Sequence, residues 1–142
     1  MKPELQEALY AKYPVLFRKV QDKGQKSPYW PIECGIACND GWYNLIDEIC
    51  TKLDKLSKLE DNKSELIIFQ IKEKFGTTCF YVEGATEIQR DVISANTMRS
   101  GGICEKCGGY GRLRREGWYW IRTLCTKHAK EMGYKLESFE TE

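Results

Sequence analysis

The strongest constraint on this chain is a spacing of metal-type ligands near its C-terminal end. Cys104 and Cys107 are followed by seventeen residues and then by Cys125 and His128. Two residues separate the members of each pair, so one tight turn can present two ligands to one ion. Thiolate sulfur and neutral imidazole nitrogen are the donors that zinc takes in a closed tetrahedron. One C-x-x-C alone is weak evidence; two pairs in one short segment, the second completed by the only histidine of the chain, are specific. Four protein ligands leave no position for water, so the spacing predicts a structural Zn2+ site and no catalytic metal.

That assignment uses up the histidine, and any acid–base chemistry would have to run on carboxylates, Lys, Tyr or Cys. No Gly-rich phosphate loop, G-x-S-x-G elbow or H-E-x-x-H is present. A hydrolase or nuclease reading rests on Glu33, Asp40 and Glu73 with the strand-borne Gln70-Ile71-Lys72. Exposed Gln and Lys are also the ordinary solvent face of a half-buried strand. No catalytic set is therefore assigned. The four other thiols, Cys34, Cys38, Cys50 and Cys79, could form a second metal site or a redox pair, or simply be buried, as free cysteine often is.

A chain of 142 residues can bury a core without disulfides. Its formal charge of +1 gives no global electrostatic case for nucleic acid or a membrane. There is no apolar run of membrane-spanning length and no signal-peptide layout at Met1-Lys2-Pro3-Glu4. An odd count of seven cysteines, three of them spaced with His128 as ligands, predicts a reducing compartment, the cytoplasm.

In chain order, Pro3 to Tyr13 reads as a helix with Pro3 at its first position and Leu5, Ala8 and Leu9 on one stripe. Pro14 ends it, and Val15-Leu16-Phe17 makes a short apolar turn. A polar loop over Gln21 to Lys26 leads into Tyr29-Trp30, fenced by Pro28 and Pro31 and therefore extended; these rings either cover the core or form a ligand platform. Cys38-Asn39-Asp40-Gly41-Trp42-Tyr43 opens the longest helix, with Asn39 or Asp40 as cap and Trp42, Leu45, Ile46, Ile49, Leu53 and Leu56 inward. Asp61-Asn62-Lys63 ends it. Leu66 to Phe75 is strand-like with Ile67, Phe69, Ile71 and Phe75 on one face, and Gly76 turns it into a second strand over Thr77 to Val82. Thr86 with Gln89 fits a capping box for a helix to about Met98, with Ile88, Val92 and Ala95 inward. Ser100-Gly101-Gly102 is the one linker-like spot. The expected fold is α+β: helices around a small antiparallel hairpin sheet over residues 1–100, with a zinc-binding segment over 101–142 packed on that core as one compact unit. The knuckle, the hairpin turning at Glu116-Gly117 and a helix over Thr126 to Met132 that supplies the last two ligands together resemble a treble-clef zinc finger.

Charge concentrates in that segment. Between Gly101 and Lys130 seven basic residues face only Glu105 and Glu116. Arg112, Arg114, Arg115 and Arg122 share a hairpin with Trp118, Tyr119 and Trp120. Guanidinium forks bind phosphate bidentately and aromatic faces stack bases, so this set suits a nucleotide, single-stranded nucleic acid or an acidic protein. The alternative is a solvated hairpin whose tryptophans pack on the core. In strand alternation Trp118, Trp120 and Arg122 share one face, Tyr119 and Ile121 the other. Asp40 and Trp42, at the start of the long helix, join the candidate ligand set; Asp40 either orients a ligand or only caps.

The order of pieces resembles a family of small bacteriophage proteins with a Cys-Gly-Asp-Gly-Trp-type motif and a C-terminal treble-clef-like finger. The residues that carry the likeness are Tyr13-Pro14-Val15-Leu16-Phe17-Arg18, Cys38 to Asp47, Gln70 to Gly76, Phe80-Tyr81, the Cys104/Cys107 knuckle, and Thr123-Leu124-Cys125 through His128-Ala129. The family pattern reads Glu-Cys-Gly-Asp-Gly-Trp, whereas here Ala37 precedes Cys38 and Asn39 stands for the glycine. The resemblance implies an accessory protein of the infected host cytoplasm and brings no activity with it. The combined expectation is a zinc-stabilised, non-enzymatic binding protein that counters host defence by binding a nucleotide signal or a defence protein. The alternatives are a nucleic-acid-binding finger and a carboxylate-dependent hydrolase. The oligomeric state is not set by the sequence.

Overall fold

The computed structural model describes residues 1–21, 35–59, 65–118 and 120–140. The expectations for Tyr29-Trp30, Glu33, Cys34, the stop at Asp61-Asn62-Lys63 and the side chain of Tyr119 lie outside these residues. The elements run α1 (Pro3–Lys12), α2 (Arg18–Gln21), β1 (Gly35–Ala37), a 3-10 turn (Asp40–Trp42), α3 (Tyr43–Leu59), β2 (Ile67–Lys74), β3 (Thr77–Glu83), α4 (Glu87–Ser100), β4 (Arg112–Glu116), β5 (Trp120–Leu124) and α5 (Thr126–Met132). The fold is α+β, with a three-stranded sheet ordered β1-β2-β3 and a separate two-stranded sheet β4-β5. The hairpin sheet expected from the sequence therefore gains a third strand, β1, parallel to β2. Three residues are too few to show a period. Among the described residues no helix is long and apolar enough to cross a membrane.

Helix α3 organises the core. Its 3.6-residue stripe buries Leu45, Ile46, Ile49, Cys50 and Leu53. These pack with Leu9, Leu16, Phe17, Ile36, Trp42, Ile68 and Ile71 in one cluster. Each fully buried aliphatic side chain contributes roughly 1.5–3 kcal/mol of transfer free energy. Helix α1 is fastened to α3 by Tyr13, whose hydroxyl meets Asp47 Oδ1 at 2.5 Å, and by Lys12 Nζ, 2.9 Å from the same carboxylate.

Two inward faces differ from the periodic expectation. In β2, Ile68 and Ile71 are fully buried and Phe69 nearly so, while Phe75 is exposed. A register irregularity between Ile68 and Gln70 breaks the two-residue alternation, and Phe75 leaves the strand to enter the turn. In α4, Ile88 and Ala95 face solvent, whereas Gln89, Asn96 and Ser100 are buried. The capping box is formed as expected, but Gln89 also turns its amide inward to Ser57 Oγ at 3.0 Å. At the other end Ser100 Oγ accepts the Thr78 N–H at 2.9 Å. Buried polar groups need partners, and these fix the helix rotation one position away from the apolar stripe.

Replacing Ile49 by alanine is expected to lower the unfolding free energy by about 2–5 kcal/mol, whereas Ile88→Ala, on the solvent face, should change it by less than about 0.5 kcal/mol. Urea midpoints at unchanged slope measure both.

Candidate metal centre and its hairpin

The ligand set is built by two local structures. In the knuckle, Cys104 N–H donates to the Gly109 carbonyl (2.8 Å) and Gly108 N–H to the Cys104 carbonyl (2.9 Å). Gly108 takes φ +79, the left-handed value that such a tight return requires. In the second pair, Cys125 is the N-cap of α5 and its sulfur accepts the His128 N–H at 3.4 Å. That places the His128 ring one turn into the helix, facing the same point. All four donor atoms lie within 4.8 Å of one another. Cys107 and Cys125 sulfurs are 3.9 Å apart, and His128 Nδ1 is 3.7 Å from Cys104 Sγ and 3.1 Å from Cys125 Sγ. Ligands bound tetrahedrally at 2.0–2.3 Å stand roughly 3.5–3.8 Å apart, so Cys104, Cys107, Cys125 and His128 could hold a metal ion. Burial pushes the Cys104 thiol up, but backbone N–H groups of Cys125, Cys107 and Lys106 more than offset this and hold it at about 7. Thiolate, the ligating form, is thus accessible at neutral pH.

The knuckle sits in a socket made by the Cys38-to-Trp42 segment. The side chain of Glu105, between the first two cysteines, is 1% exposed. Its Oε2 accepts the Asn39 backbone N–H and side-chain amide, each at 3.0 Å, and its Oε1 accepts Arg122 Nη1 at 2.8 Å. Gly41 N–H donates to the Glu105 carbonyl at 2.8 Å, and Trp42 Nε1 to the Ile103 carbonyl at 2.8 Å. A Cβ on Gly41 would lie 2.2 Å from the Cys104 carbonyl oxygen and 2.5 Å from that of Glu105, so glycine is required by close backbone approach.

This socket relocates several residues of the candidate set. Trp42 is fully buried and faces the core. Asn39 makes no side-chain cap to the helix. Asp40 accepts the Lys2 backbone N–H at 2.8 Å, so its carboxylate fastens the N-terminal segment. The Cys38 carbonyl receives the Met1 ammonium, while burial and then the Glu105 charge push the Cys38 thiol up to about 12. Among the described residues Cys38, Cys50 and Cys79 join no metal-type cluster.

On the hairpin, two of the four guanidinium groups are consumed internally. Arg114 is buried; its Nε donates to the Leu124 carbonyl (2.9 Å) and its fork grips Glu140, with Nη2 2.6 Å from Oε1. Arg122 is held by Glu105. Arg112 stacks over Phe139 at 4.7 Å. Arg115 is exposed without a side-chain ion pair among the described residues. The tryptophans do not pack on the core: Trp118 is 91% and Trp120 65% exposed. Trp120 and Arg122 line a hollow of about 200 Å³ with Glu73, Lys74, Phe75 and Ile121. The structure thus brings together the four metal-type ligands, and separately Trp120 with Arg122; it sends Trp42 and Asp40 to the socket. Asp40 and Glu73 are engaged apart, Glu73 Oε1 taking the Gly76 N–H at 3.0 Å. Glu105 and Phe75 were absent from the candidate set. The phenylalanine in an X-Gly two-residue turn was a usable signal; Glu105 had none.

Comparison with protein-family models, with curated proteins and with solved structures finds no match.

Two outcomes follow from this geometry. Gly41→Ala should destabilise the chain by about 1–3 kcal/mol and weaken metal retention, because the added methyl meets backbone on the knuckle and not a movable side chain; a chelator competition titration reads it. Hydrogen bonds from Arg114 hold the Glu140 carboxyl at about 2, below its ordinary 4.5. Its contribution is therefore complete above about pH 4.5 and lost as pH falls towards 2. Thermal unfolding across that window should fall more steeply for the wild type than for Glu140→Gln.

Proposed function

We propose that the protein is a zinc-stapled, non-enzymatic binding protein whose working surface is the aromatic end of the β4–β5 hairpin. Three thiolates and one imidazole at tetrahedral spacing are a donor set for zinc, and because all four positions come from protein the ion is structural. Knuckle, hairpin and ligand-bearing helix are read as a treble-clef-like finger. Among the described residues its own hydrophobic core has Cys104, Leu124, Ala129 and Tyr134 as buried members, too little to hold the segment without the metal and the Glu105 socket.

The observation that carries the binding role is the exposure of Phe75 and Trp120 on one hollow, with Trp118 exposed on the same hairpin as Trp120. Large aromatics left in water at one place mark recognition surfaces. The resemblance to phage proteins supplies the setting: an infected bacterial cytoplasm, where the surface counters host defence by taking a nucleotide signal or a defence protein. Direct nucleic-acid binding is favoured as a second reading by the exposed cations Lys106, Arg115, Lys127 and Lys135 on the same segment.

Elemental analysis should find about one zinc per chain; less than about half an equivalent overturns the staple. Supplied in defended bacteria, the wild type should raise phage plating, and Trp118→Ala/Trp120→Ala with unchanged zinc content should not. Equal plating with both overturns the proposed surface.

A further inference from the structure

We infer that the hollow between Phe75 and Trp120 is a site for an unpaired nucleobase with its phosphate. The proposal rests on the binding-protein reading above and names the chemistry of its ligand. It starts from a strained residue. Lys74 pairs with Thr77, so Phe75-Gly76 is a two-residue hairpin turn, and Phe75 takes φ +51. Two-residue turns of this hand favour Asn or Asp followed by Gly; an aromatic residue there is an outlier. The strain brings no burial, since the ring stands 68% exposed.

The surrounding structure holds this turn firmly. Thr123 Oγ1 donates to the Gly76 carbonyl at 2.6 Å, a buried hydrogen bond. A Cβ on Gly76 would meet Leu113 Cδ1 at 2.4 Å, so β4 and β5 close directly over it. The Phe75 and Trp120 rings are therefore presented by two backbones clamped to each other. Backbone strain kept by its surroundings, at a place where two rings meet solvent, points to a ligand.

The lining selects the ligand. A hollow of about 200 Å³ is below the roughly 300–1,000 Å³ of drug-sized pockets and suits one flat ring system. Aromatic faces stack on any base. Lys74 and Arg122 carry positive charge on the lining, and Arg122 spends Nη1 on Glu105 while its side chain stays 28% exposed. Glu73 faces Gly76 N–H, and its charge offsets one cation. With Glu105 paired to Arg122, the lining carries no net charge, which disfavours a triphosphate and leaves Lys74 to meet the single charge of a phosphodiester. Trp118, two residues before Trp120 and 91% exposed, offers a ring to a neighbouring base. This favours a single strand over a free mononucleotide, and the two sources share the same site chemistry.

The test uses the zinc-loaded full chain, a fluorescent twelve-residue oligo(dT) read by anisotropy, and uridine and cyclic mononucleotides as competitors. Phe75→Asn removes the ring while keeping a residue that accepts positive φ, and Trp120→Leu keeps apolar volume. Each should weaken binding about 5- to 150-fold, as loss of one stacked base does, while Phe139→Ala should not. A salt slope of about −0.7 per phosphate contacted is expected for the strand. Mononucleotide competition at similar affinity would assign the site to a free nucleotide. Absence of binding to every probe at low salt, or binding unchanged in Phe75→Asn and Trp120→Leu, overturns the proposal. A host protein that needs both rings, with no nucleotide or strand bound, overturns the base site and leaves the binding-protein reading intact. Base binding without any effect on phage plating would instead remove only the counter-defence setting.

Discussion

The buried carboxylate of Glu105 is the joint on which this structure depends. It is placed by the knuckle, between Cys104 and Cys107, and reaches both the start of α3 through Asn39 and strand β5 through Arg122. A carboxylate so buried is tolerable only when its lone pairs are filled, and here two N–H groups and a guanidinium fill them. The Cys/His cluster, the hairpin and the core are thereby tied to one group. The close contact at Gly41 and the indole bond of Trp42 to Ile103 seal the same joint from the core side.

This joint also decides what the hairpin presents. By sequence the hairpin is an arginine cluster; in the fold, Glu105 and Glu140 neutralise Arg122 and Arg114 within the segment. A paired guanidinium in a low-dielectric site has spent its directional donors and most of its field. What remains outward on the hairpin is Trp118, Trp120 and the exposed Arg115, with Phe75 from the neighbouring sheet. The surface is thus better suited to stacking than to gripping a highly charged phosphate group.

Much of the fold was legible where a signal is local. Pro3 and Pro14 bracket α1, the stripe from Leu45 to Leu53 gives α3 and its buried face, the Thr86–Gln89 box starts α4, and Gly76 turns the β2–β3 hairpin. The inward face of α4 was not legible, because Gln89 and Ser100 answer to Ser57 and Thr78, far away in sequence. The alternation of β2 failed for a comparable reason: the pairing with β3 shifts register at Ile68–Gln70, a property of two strands and not of one. Strand β1 exists only because β2 is beside it.

For the site, the sequence by itself determined which four side chains could hold a metal ion. Metal coordination by a turn and a helix start depends on spacing of two and on residue chemistry, both readable along the chain. It also determined that arginine and tryptophan share a hairpin. Only the tertiary structure decided which of them meet solvent. Burial of Trp42 and Arg114, the fastening of Asp40 to Lys2, and the approach of Phe75 to Trp120 all depend on contacts between segments remote in sequence. Pairing energies of that kind are set by three-dimensional proximity, which no residue pattern along one strand encodes.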